Sequence, residues 1–339
     1  MQRADFHFDL PSDLIAQEPT PNRGESRLMV LNRQDKSLIH TVVGALPELL
    51  RTESLMVFNN TRVRKARILG ISENTGASVE FLLVKQQNPV TWEALISRSK
   101  RRHAGSRYHF PDGTIGTLAG ESGNYRVLHF DTPVDDAWLD TYGHIPLPPY
   151  IKRPDTDRDA DRYQTVYAAE HGSAAAPTAG LHFTTVLFEQ LRQAGVEIAF
   201  VTLHVGLGTF LPVRAEQIED HEMHEEFFEI NEKTAMQIET AKGSGRPVAA
   251  IGTTSVRAVE SAWNDGRIRR GQQSTRIFIY PGYQFRVVDT IFTNFHTPES
   301  TLLMLVSAFA GREYILDAYR EAITRRYRFF SYGDSMLIL

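Results

Sequence analysis

Residues 247–263, PVAAIGTTSVRAVESAW, change from a short apolar run to a helical pattern across a single glycine. The run PVAAIG predicts a strand, because consecutive apolar residues suit a position inside a sheet. The segment SVRAVESAW predicts a helix with Ser255 as its N-terminal cap. A strand followed at once by a helix is the repeating unit of α/β folds, so this stretch sets the expectation for its surroundings.

The same alternation extends on both sides of this unit. Upstream, TTVLFEQLRQAG (184–195) predicts a helix, VEIAFVTL (196–203) a strand buried on both faces, and NEKTAMQIETAKGSG (231–245) a second helix. Downstream, RIFIYPG (276–282) predicts a further strand, and two more helices follow it. The alternation favours an α/β domain whose sheet is largely parallel.

Short alternating strands separated by turn signals fill another part of the chain. Examples are VRKARILG (63–70), ASVEFLLV (77–84), WEALIS (92–97) and YRVLHF (125–130). Several short strands at this spacing predict a small antiparallel barrel or sandwich. The first sixty residues add two strand-like runs, SRLMVL and LMVFNNT, but no core of their own.

These regions combine into one prediction of the fold. We expect the α/β class, with a mixed sheet and flanking helices, interrupted by an inserted antiparallel β-barrel domain. The proline-rich segment GHIPLPPYIKRP (143–154) marks a boundary, because its prolines hold the chain extended. The predicted domains are a discontinuous α/β catalytic domain over 1–61 and 150–339, and an inserted barrel over 62–149.

The composition excludes several kinds of chemistry. The chain has 339 residues, no cysteine and a formal net charge of −4. Without cysteine there is no disulfide, no thiolate catalysis and no cysteine-held zinc or iron–sulfur cluster. The sequence contains neither a secretory leader nor an apolar run of membrane-spanning length, so we expect a cytoplasmic protein without a membrane partner.

The charge is divided unevenly along the chain. Residues 62–130 contain eleven Lys or Arg against five Asp or Glu, a net charge of +6, which leaves −10 for the remainder. The basic cluster RSKRRH (98–103), together with 62–67, suits the phosphates of a nucleic acid as well as it suits a solvated loop. Residues 216–232 carry eight acids and no Lys or Arg, and an acidic body favours a cationic ligand.

Four loops that follow predicted strands carry residues typical of ligand sites. HVGLGTF (204–210) allows close backbone approach at two glycines but lacks the third glycine of a dinucleotide fingerprint. GTTSVR (252–257) presents hydroxyls and free N–H groups at a helix start, which suit a carboxylate or phosphate. APTAGLHF (176–183) and NFHTPES (294–300) are tight loops with one histidine each. A purely structural turn remains the alternative for each loop.

The acidic segment HEMHEE (221–226) leaves three interpretations open. Its histidines are three residues apart, not four as in HExxH, so the spacing argues against a zincin-type metal site. General acid–base catalysis by His224 or Glu226 is an equal alternative. An exposed acidic segment without a function is the third.

At these motifs the chain resembles one family, the S-adenosylmethionine:tRNA ribosyltransferase-isomerases of queuosine biosynthesis. The resemblance runs from LIAQEP (14–19) to FFSYGDSMLI (329–338). Between these ends it includes FNNTRV, GHIPLPPYI, RYQTVYA, APTAGLHF, VTLHVGLGTF, GTTSVRAVES and TNFHTPESTLLMLVSAFAG, in that order. Lys65, Ala174 and Thr297 stand where the family pattern has proline, valine and leucine.

The resemblance implies an activity and its partners. Members of the family are pentosyl-type transferases, which transfer and isomerise the ribosyl part of S-adenosylmethionine to the 7-aminomethyl-7-deazaguanine at the wobble position of tRNA. The product is epoxyqueuosine, and adenine and methionine are released. The implied partners are S-adenosylmethionine, as a substrate, and the anticodon loop of tRNA, with no metal or redox cofactor. We expect a monomer or a weak oligomer.

By the roles that this reaction implies, the motif residues divide into three groups. The candidate acid–base catalysts are His204, His224, Glu226, His296 and Asp334. The residues expected to bind S-adenosylmethionine are Pro177, Thr178, Gly180, His182, Gly206, Gly208, Thr209, Gly252, Thr253, Thr254 and Arg257. The residues expected to contact tRNA are Arg62, Arg64, Lys65, Arg98, Lys100, Arg101 and Arg102. The methionine part is expected against 252–257, and no metal site is assigned.

Two other functions remain open at this point. A non-catalytic RNA-binding protein with a barrel module would explain the basic insertion but not the ligand-type loops. A metal-dependent hydrolase built on His221, His224 and neighbouring acids would need a histidine spacing that the sequence does not have.

Overall fold

The computed structural model describes residues 1–97, 102–123, 125–206 and 213–339. In these ranges the chain forms nineteen strands: β1 (Arg27–Leu31), β2 (Leu38–Val42), β3 (Leu55–Asn59), β4 (Thr61–Val63), β5 (Arg67–Ser72), β6 (Ser78–Asn88), β7 (Thr91–Ile96), β8 (Arg107–His109), β9 (Ile115–Ser122), β10 (Tyr125–Phe130), β11 (Glu170–Ser173), β12 (Glu197–His204), β13 (Glu226–Ile230), β14 (Val248–Ile251), β15 (Trp263–Asn264), β16 (Arg267–Ile268), β17 (Gly271–Thr275), β18 (Thr290–Asn294) and β19 (Ser335–Ile338). The α-helices of the same ranges are α1 (Leu46–Leu49), α2 (Asp136–Tyr142), α3 (Asp157–Arg162), α4 (Thr185–Gln193), α5 (Glu232–Gly243), α6 (Thr253–Ala262), α7 (Thr301–Ala310) and α8 (Arg312–Thr324).

Nine strands form one mixed sheet in the order β17-β13-β12-β3-β14-β18-β19-β1-β2. The four neighbouring strands β12, β3, β14 and β18 run parallel, whereas β19 runs antiparallel to β18 and parallel to β1. Both edges are antiparallel, with β13 and β17 on one side and β2 on the other. Since parallel strands end at the same edge of a sheet, the loops after β12, β14 and β18 meet there.

The second unit is a closed barrel with the strand order β10-β7-β6-β5-β8-β9. Each strand runs antiparallel to both of its neighbours. Its interior is aromatic, with Phe81, Tyr108, Phe110 and Phe130 packed edge to face around the buried Trp92. The mixed sheet, its helices and this antiparallel barrel confirm the predicted fold class.

Two short strands, β4 before the barrel and β11 after it in the sequence, pair with each other in parallel. At the end of β3, the buried Asn59 holds the end of β12, because its Nδ2 donates to the Leu203 carbonyl at 2.9 Å and its Oδ1 accepts from the Leu203 N–H at 3.0 Å. The loop that follows β12 therefore starts from a fixed point.

Three local predictions differ from the structure. Helix α6 begins at Thr253, so Ser255 lies inside it and donates to the Ile251 carbonyl at 2.8 Å instead of capping. Residues 276–282 are not a strand, and the neighbouring strand β17 precedes them. β12 alternates between buried and half-buried side chains, so it is not fully buried on both faces as predicted.

Hydrophobic contacts bury both faces of the sheet. One apolar cluster includes α5, α6 and α7, and a second includes α4 and the aromatic group around Phe58. Among the described residues, no helix is long and apolar enough to cross a membrane.

Candidate functional site

A cleft opens at the edge of the sheet where the parallel strands end. Its walls come from loops that are far apart in sequence: 176–179, Val205, 252–254, 293–297 and 330–331. These loops follow β11, β12, β14 and β18 or precede β19. Ligands bind α/β sheets at this edge, so the topology makes the cleft the candidate site.

The start of helix α6 forms one wall of the cleft. Gly252 has φ +83°, a conformation that favours glycine, and it turns the chain from β14 directly into the helix. Among the described residues no side chain caps this end, which leaves the first N–H groups of α6 for a ligand. Thr254 is 7% exposed and lines the cleft, and its Oγ1 is buried without a hydrogen-bond partner. A negatively charged ligand group would accept hydrogen bonds both from these N–H groups and from the Thr254 hydroxyl.

Two buried histidines lie at the opposite wall, around the end of β18. His296 lines the cleft, and its Nε2 lies 3.1 Å from Thr293 Oγ1. His182 lies deeper, where its Nε2 is 3.1 Å from Asn294 Nδ2. Burial lowers the pKa of each imidazole to about 3, so both are neutral. Thr178, which also lines the cleft, is linked to the same amide through Asn294 Oδ1 at 3.2 Å.

Tyr150 and Ser331 complete the cleft, and motif reasoning did not select either as a site residue. Their hydroxyl oxygens are 2.5 Å apart. Burial raises the pKa of Tyr150 to about 12, so the phenol keeps its proton. The sequence did offer a reason to select both as site residues. Each lies within a motif that carried the family resemblance, Tyr150 in GHIPLPPYI and Ser331 in FFSYGDSMLI.

Behind the cleft, Glu226 and Arg257 form a buried ion pair. Arg257 Nε donates to Glu226 Oε2 and Nη2 to Oε1, both at 2.8 Å, and the residues are 6% and 2% exposed. We had expected Arg257 to bind the ligand and Glu226 to act as an acid or base. The structure instead joins the two side chains to each other, with Arg257 close enough to His296 to contribute to its lowered pKa.

His204 faces a different groove from the cleft. It lies at the end of β12, where the next residue, Val205, lines the cleft, but the His204 ring lines a groove with Glu170 and the exposed Phe227. Its Nδ1 is 2.9 Å from Thr61 Oγ1, and burial is the main cause of its lowered pKa. His204 and His296 are therefore not brought together.

Comparison with known proteins gives the family. The family model described as queuosine biosynthesis protein matches residues 3–338, nearly the whole chain. The chain belongs to this family. The predicted resemblance is thereby confirmed, and several of its motifs contribute residues to the cleft just described.

Relatives and a solved structure agree with this membership. An S-adenosylmethionine:tRNA ribosyltransferase-isomerase of Treponema denticola is 53% identical, with all of both chains covered. A protein of the same name from Borreliella afzelii is 47% identical, covering all of this chain and 99% of its own. The crystal structure of S-adenosylmethionine tRNA ribosyltransferase from Thermotoga maritima is 34% identical, with a TM-score of 0.57 over 99% of this chain and 100% of that chain.

In this member of the queuosine biosynthesis family, the remaining predicted catalytic residues lie outside the cleft. His224 is exposed, whereas Asp334 is buried and accepts the backbone N–H groups of Arg27 and Arg328, both at 2.9 Å. Burial raises the pKa of Asp334. Since both its oxygens hold backbone, its evident contribution is to connect the C-terminal segment to β1.

The predicted S-adenosylmethionine-binding residues divide between the cleft and its support. Pro177, Thr178, Gly252, Thr253 and Thr254 line the cleft. At Gly180 an added Cβ would lie 2.0 Å from the Tyr167 hydroxyl, so this glycine makes room for a side chain of the protein and not for a ligand. Gly206 follows the cleft residue Val205, and among the described residues no atom lies within 4 Å of a Cβ added to it, whereas Gly208 and Thr209 lie outside the described residues.

The predicted tRNA-contacting residues are only partly available. Arg64 forms an ion pair with Asp136, and Lys65 donates to the Asp140 carbonyl at 2.9 Å. Arg62 is exposed, and Arg102 is half-buried. Arg98, Lys100 and Arg101 lie outside the described residues. Among the described residues, no three His, Asp or Glu side chains converge as a metal site would require.

Proposed function

We propose that this chain transfers and isomerises the ribosyl part of S-adenosylmethionine to the 7-aminomethyl-7-deazaguanine of tRNA, releasing adenine and methionine. Family membership and the names of the relatives support the reaction. The single structural observation that carries the proposal is the cleft, where an uncapped helix start and the buried, unpartnered Thr254 Oγ1 meet. Such a site suits the carboxylate of an amino-acid group.

The methionine part of the substrate is assigned to the start of α6. Its carboxylate would accept the free N–H groups of that turn and the Thr254 hydroxyl, and the helix dipole favours the negative charge there. Gly252 lets the backbone approach closely. Arg257 is not needed for this contact, because its guanidinium is already held by Glu226.

The neutral state of His296 suits a cationic substrate. A sulfonium acidifies the adjacent ribose C5′, and a positive imidazole nearby would repel the sulfonium. Burial, together with the neighbouring Arg257, keeps this imidazole uncharged. We therefore assign His296 to hydrogen bonding and proton movement near the ribose, in preference to His204 and His224, which lie outside the cleft.

Departure of adenine needs a hydrogen-bond donor or an acid. The Tyr150 phenol lines the cleft, carries its proton at neutral pH, and is held by Ser331. We assign this pair to the leaving base. In this scheme Glu226 and Arg257 act as positioning residues, because they lie behind the reacting groups and fix α6 against β13.

The proposal extends to organisation, partners and location. The inserted segment 62–149 is assigned as a domain that contacts the anticodon loop, and the rest as the catalytic domain. The target base would be unstacked from the loop to reach the cleft. No metal or redox cofactor is assigned, and we place the protein in the cytoplasm as a monomer or weak oligomer.

Product analysis tests this function directly. The protein is incubated with S-adenosylmethionine and with tRNA that carries 7-aminomethyl-7-deazaguanine, and adenine and methionine are quantified by chromatography. Equal release of both, dependent on the modified base, is expected. tRNA with unmodified guanine is the matched control. Binding of tRNA without release of adenine would favour the alternative of a non-catalytic RNA-binding protein. No observation in the cleft supports that alternative.

The Thr254→Val variant tests the assignment of the methionine part. Valine keeps the shape and removes the hydroxyl, so we expect binding of S-adenosylmethionine to weaken by roughly 10–150-fold, the effect of losing one hydrogen bond to a charged group. Isothermal titration measures the dissociation constant. Thr185→Val, at an exposed first turn of α4, is the control and should bind as the wild type does. Equal affinities for both variants would refute the assignment.

A further inference from the structure

The loop QEPTPNR (17–23) is surrounded by arginines whose hydrogen bonds go to backbone carbonyls. Arg162 Nη1 and Arg158 Nη2 both donate to the Pro21 carbonyl, at 3.0 and 3.4 Å. Arg328 donates to the Glu18 carbonyl, and Arg23, within the loop, donates to the carbonyls of Leu181 and Asp161. The backbone thus gathers four guanidinium groups on one side of the α/β body.

None of these four guanidiniums lies within 4.0 Å of a carboxylate in the described part of the chain. The contrast with the adjacent Arg153 is direct, because Arg153 forms a two-bond ion pair with Asp159 at 2.7 and 2.9 Å. Arg162 Nε is also buried without a hydrogen-bond partner. The positive charge of the cluster is therefore available to an anionic group outside the chain.

The arginines also act on one another. Burial lowers the pKa of Arg23, and the charge of Arg162 lowers it further, while Asp161 acts in the opposite direction. Arg162 is affected in the same way by burial and by Arg158. On α3, Arg158 and Arg162 are four residues apart and share the face toward the loop, whereas Asp157 and Asp161 occupy the neighbouring face. Guanidiniums that repel one another in this way are stabilised when an anion binds to them.

The cluster lies beside the cleft. Arg23 binds the carbonyl of Leu181, three residues after the cleft residue Thr178, and Arg328 precedes the cleft residue Phe330 by two. Both arginines contribute to the lowered pKa of His182, which lies beneath the cleft. A polymer that places one of its residues in the cleft must carry the neighbouring residues past this arginine cluster.

We propose that Arg23, Arg158, Arg162 and Arg328 bind backbone phosphates of the RNA substrate next to the nucleotide that enters the cleft. This inference rests on the proposed function, and it places an RNA contact on the α/β body in addition to the barrel. Guanidiniums match phosphate geometry with paired N–H donors. Several arginines of the barrel are less available, since Arg67, Arg107 and Arg126 already form ion pairs with glutamates.

The test compares tRNA binding by the Arg158→Ala/Arg162→Ala variant and the wild type. Fluorescence anisotropy with an unmodified tRNA transcript gives the dissociation constant between 50 and 300 mM KCl. Removing one arginine–phosphate interaction lowers the slope of log Kd against log salt by about 1, so we expect a decrease of about 2 and roughly tenfold weaker binding. Arg51→Ala is the control, because Arg51 is exposed just before β3, at the opposite edge of the sheet, and should bind as the wild type does.

Binding of S-adenosylmethionine is measured on the same variants and is expected to stay unchanged, which separates weaker RNA binding from a damaged cleft. If the double variant does not fold, Arg158→Gln is used, since the Arg158 side chain makes a single hydrogen bond within the described residues, the one to Pro21. An unchanged salt slope in a folded variant overturns the inference and leaves the proposed function intact. A wild-type protein that binds no tRNA contradicts the proposed function itself.

Discussion

At the scale of single residues, the cleft depends on groups whose charge is set by burial. His182 and His296 are kept neutral and Tyr150 is kept protonated, while Glu226 is ion-paired with Arg257. Neutral hydrogen-bonding groups at the surface of the cleft, with the buried ion pair behind them, leave the cleft compatible with a sulfonium. The loops that supply the two histidines were predictable from their hydroxyl, glycine and histidine content, whereas Tyr150 was not selected as a site residue.

Their partners were not predictable. Glu226 and Arg257 were each selected from separate motifs, and nothing in either motif indicates a contact across 31 residues. The pair forms because β13 pairs with β12 in the sheet and α6 packs on the same sheet. Asp334 is a second case in which the motif does not indicate a distant contact. Its carboxylate was predicted to be catalytic, but it accepts a hydrogen bond from the backbone of β1.

The two buried histidines predict an acid-dependent loss of stability. Their pKa is near 3 in the folded chain and about 6.5 when unfolded, so their contribution is complete above pH 6.5 and is lost as the pH falls toward 3. From pH 6.5 to 5 we expect each histidine to lower the free energy of unfolding by about 2 kcal/mol.

Urea unfolding at pH 7, 6 and 5 measures this dependence. The His296→Gln variant keeps a polar group near Thr293 and should lose less stability over this range than the wild type. His7→Gln, at an exposed position, is the matched control and should follow the wild type. Parallel pH profiles for His296→Gln and the wild type would contradict a depressed pKa.

At the scale of elements, Glu260 fixes the loop that follows a wrongly predicted strand. The segment RIFIYPG (276–282) has strand-like composition, but the chain after β17 runs as a loop that continues to Glu260 on α6. The Glu260 carboxylate accepts the N–H groups of Arg286, Val287 and Val288 at 2.9–3.0 Å and the Tyr283 hydroxyl at 3.1 Å. One side chain thus holds the end of this loop to a helix, and the local sequence pattern does not encode such a contact.

Glu260→Gln tests this interpretation. Either orientation of the new amide places an NH₂ group against two donors, so we expect a loss of about 2–3 kcal/mol in the free energy of unfolding. Chemical denaturation followed by circular dichroism measures it. Glu313→Gln, on the exposed side of α8, should change the stability by less than about 0.5 kcal/mol. Equal effects of the two substitutions would exclude the contact as a stabilising one.

At the scale of the whole molecule, the chain has separate hydrophobic cores in the barrel and around the sheet. Alternating strands made the barrel predictable, although two of its six strands, β8 and β9, were not among the strands named from the sequence. β8 has only three residues, and β9 contains two glycines, so neither gives a clear hydrophobic alternation. Closure of the barrel is decided by strand pairing over long distances, which local composition does not encode.

The separate cores predict that the barrel and the body unfold in distinct steps. Trp92 and Trp138 pack in the barrel core, and Trp263 packs against the core of the body. Fluorescence of Trp263→Phe therefore reports the barrel, and fluorescence of Trp92→Phe/Trp138→Phe reports the body. We expect different denaturation midpoints, because each unit has a hydrophobic core of its own. Coincident midpoints would show a single cooperative unit.

The side-by-side strands β4 and β11 have a mechanical consequence. β4 directly precedes the first barrel strand, β5, so its pairing with β11 ties the entry to the barrel to a segment that follows the whole barrel in the sequence. Gln164 adds to this tie, because its side chain accepts from the Val63 N–H at 3.0 Å and donates to the Val63 carbonyl at 2.7 Å. A force applied to the barrel is therefore shared by two segments of the chain, and neither segment can be drawn out without breaking these hydrogen bonds.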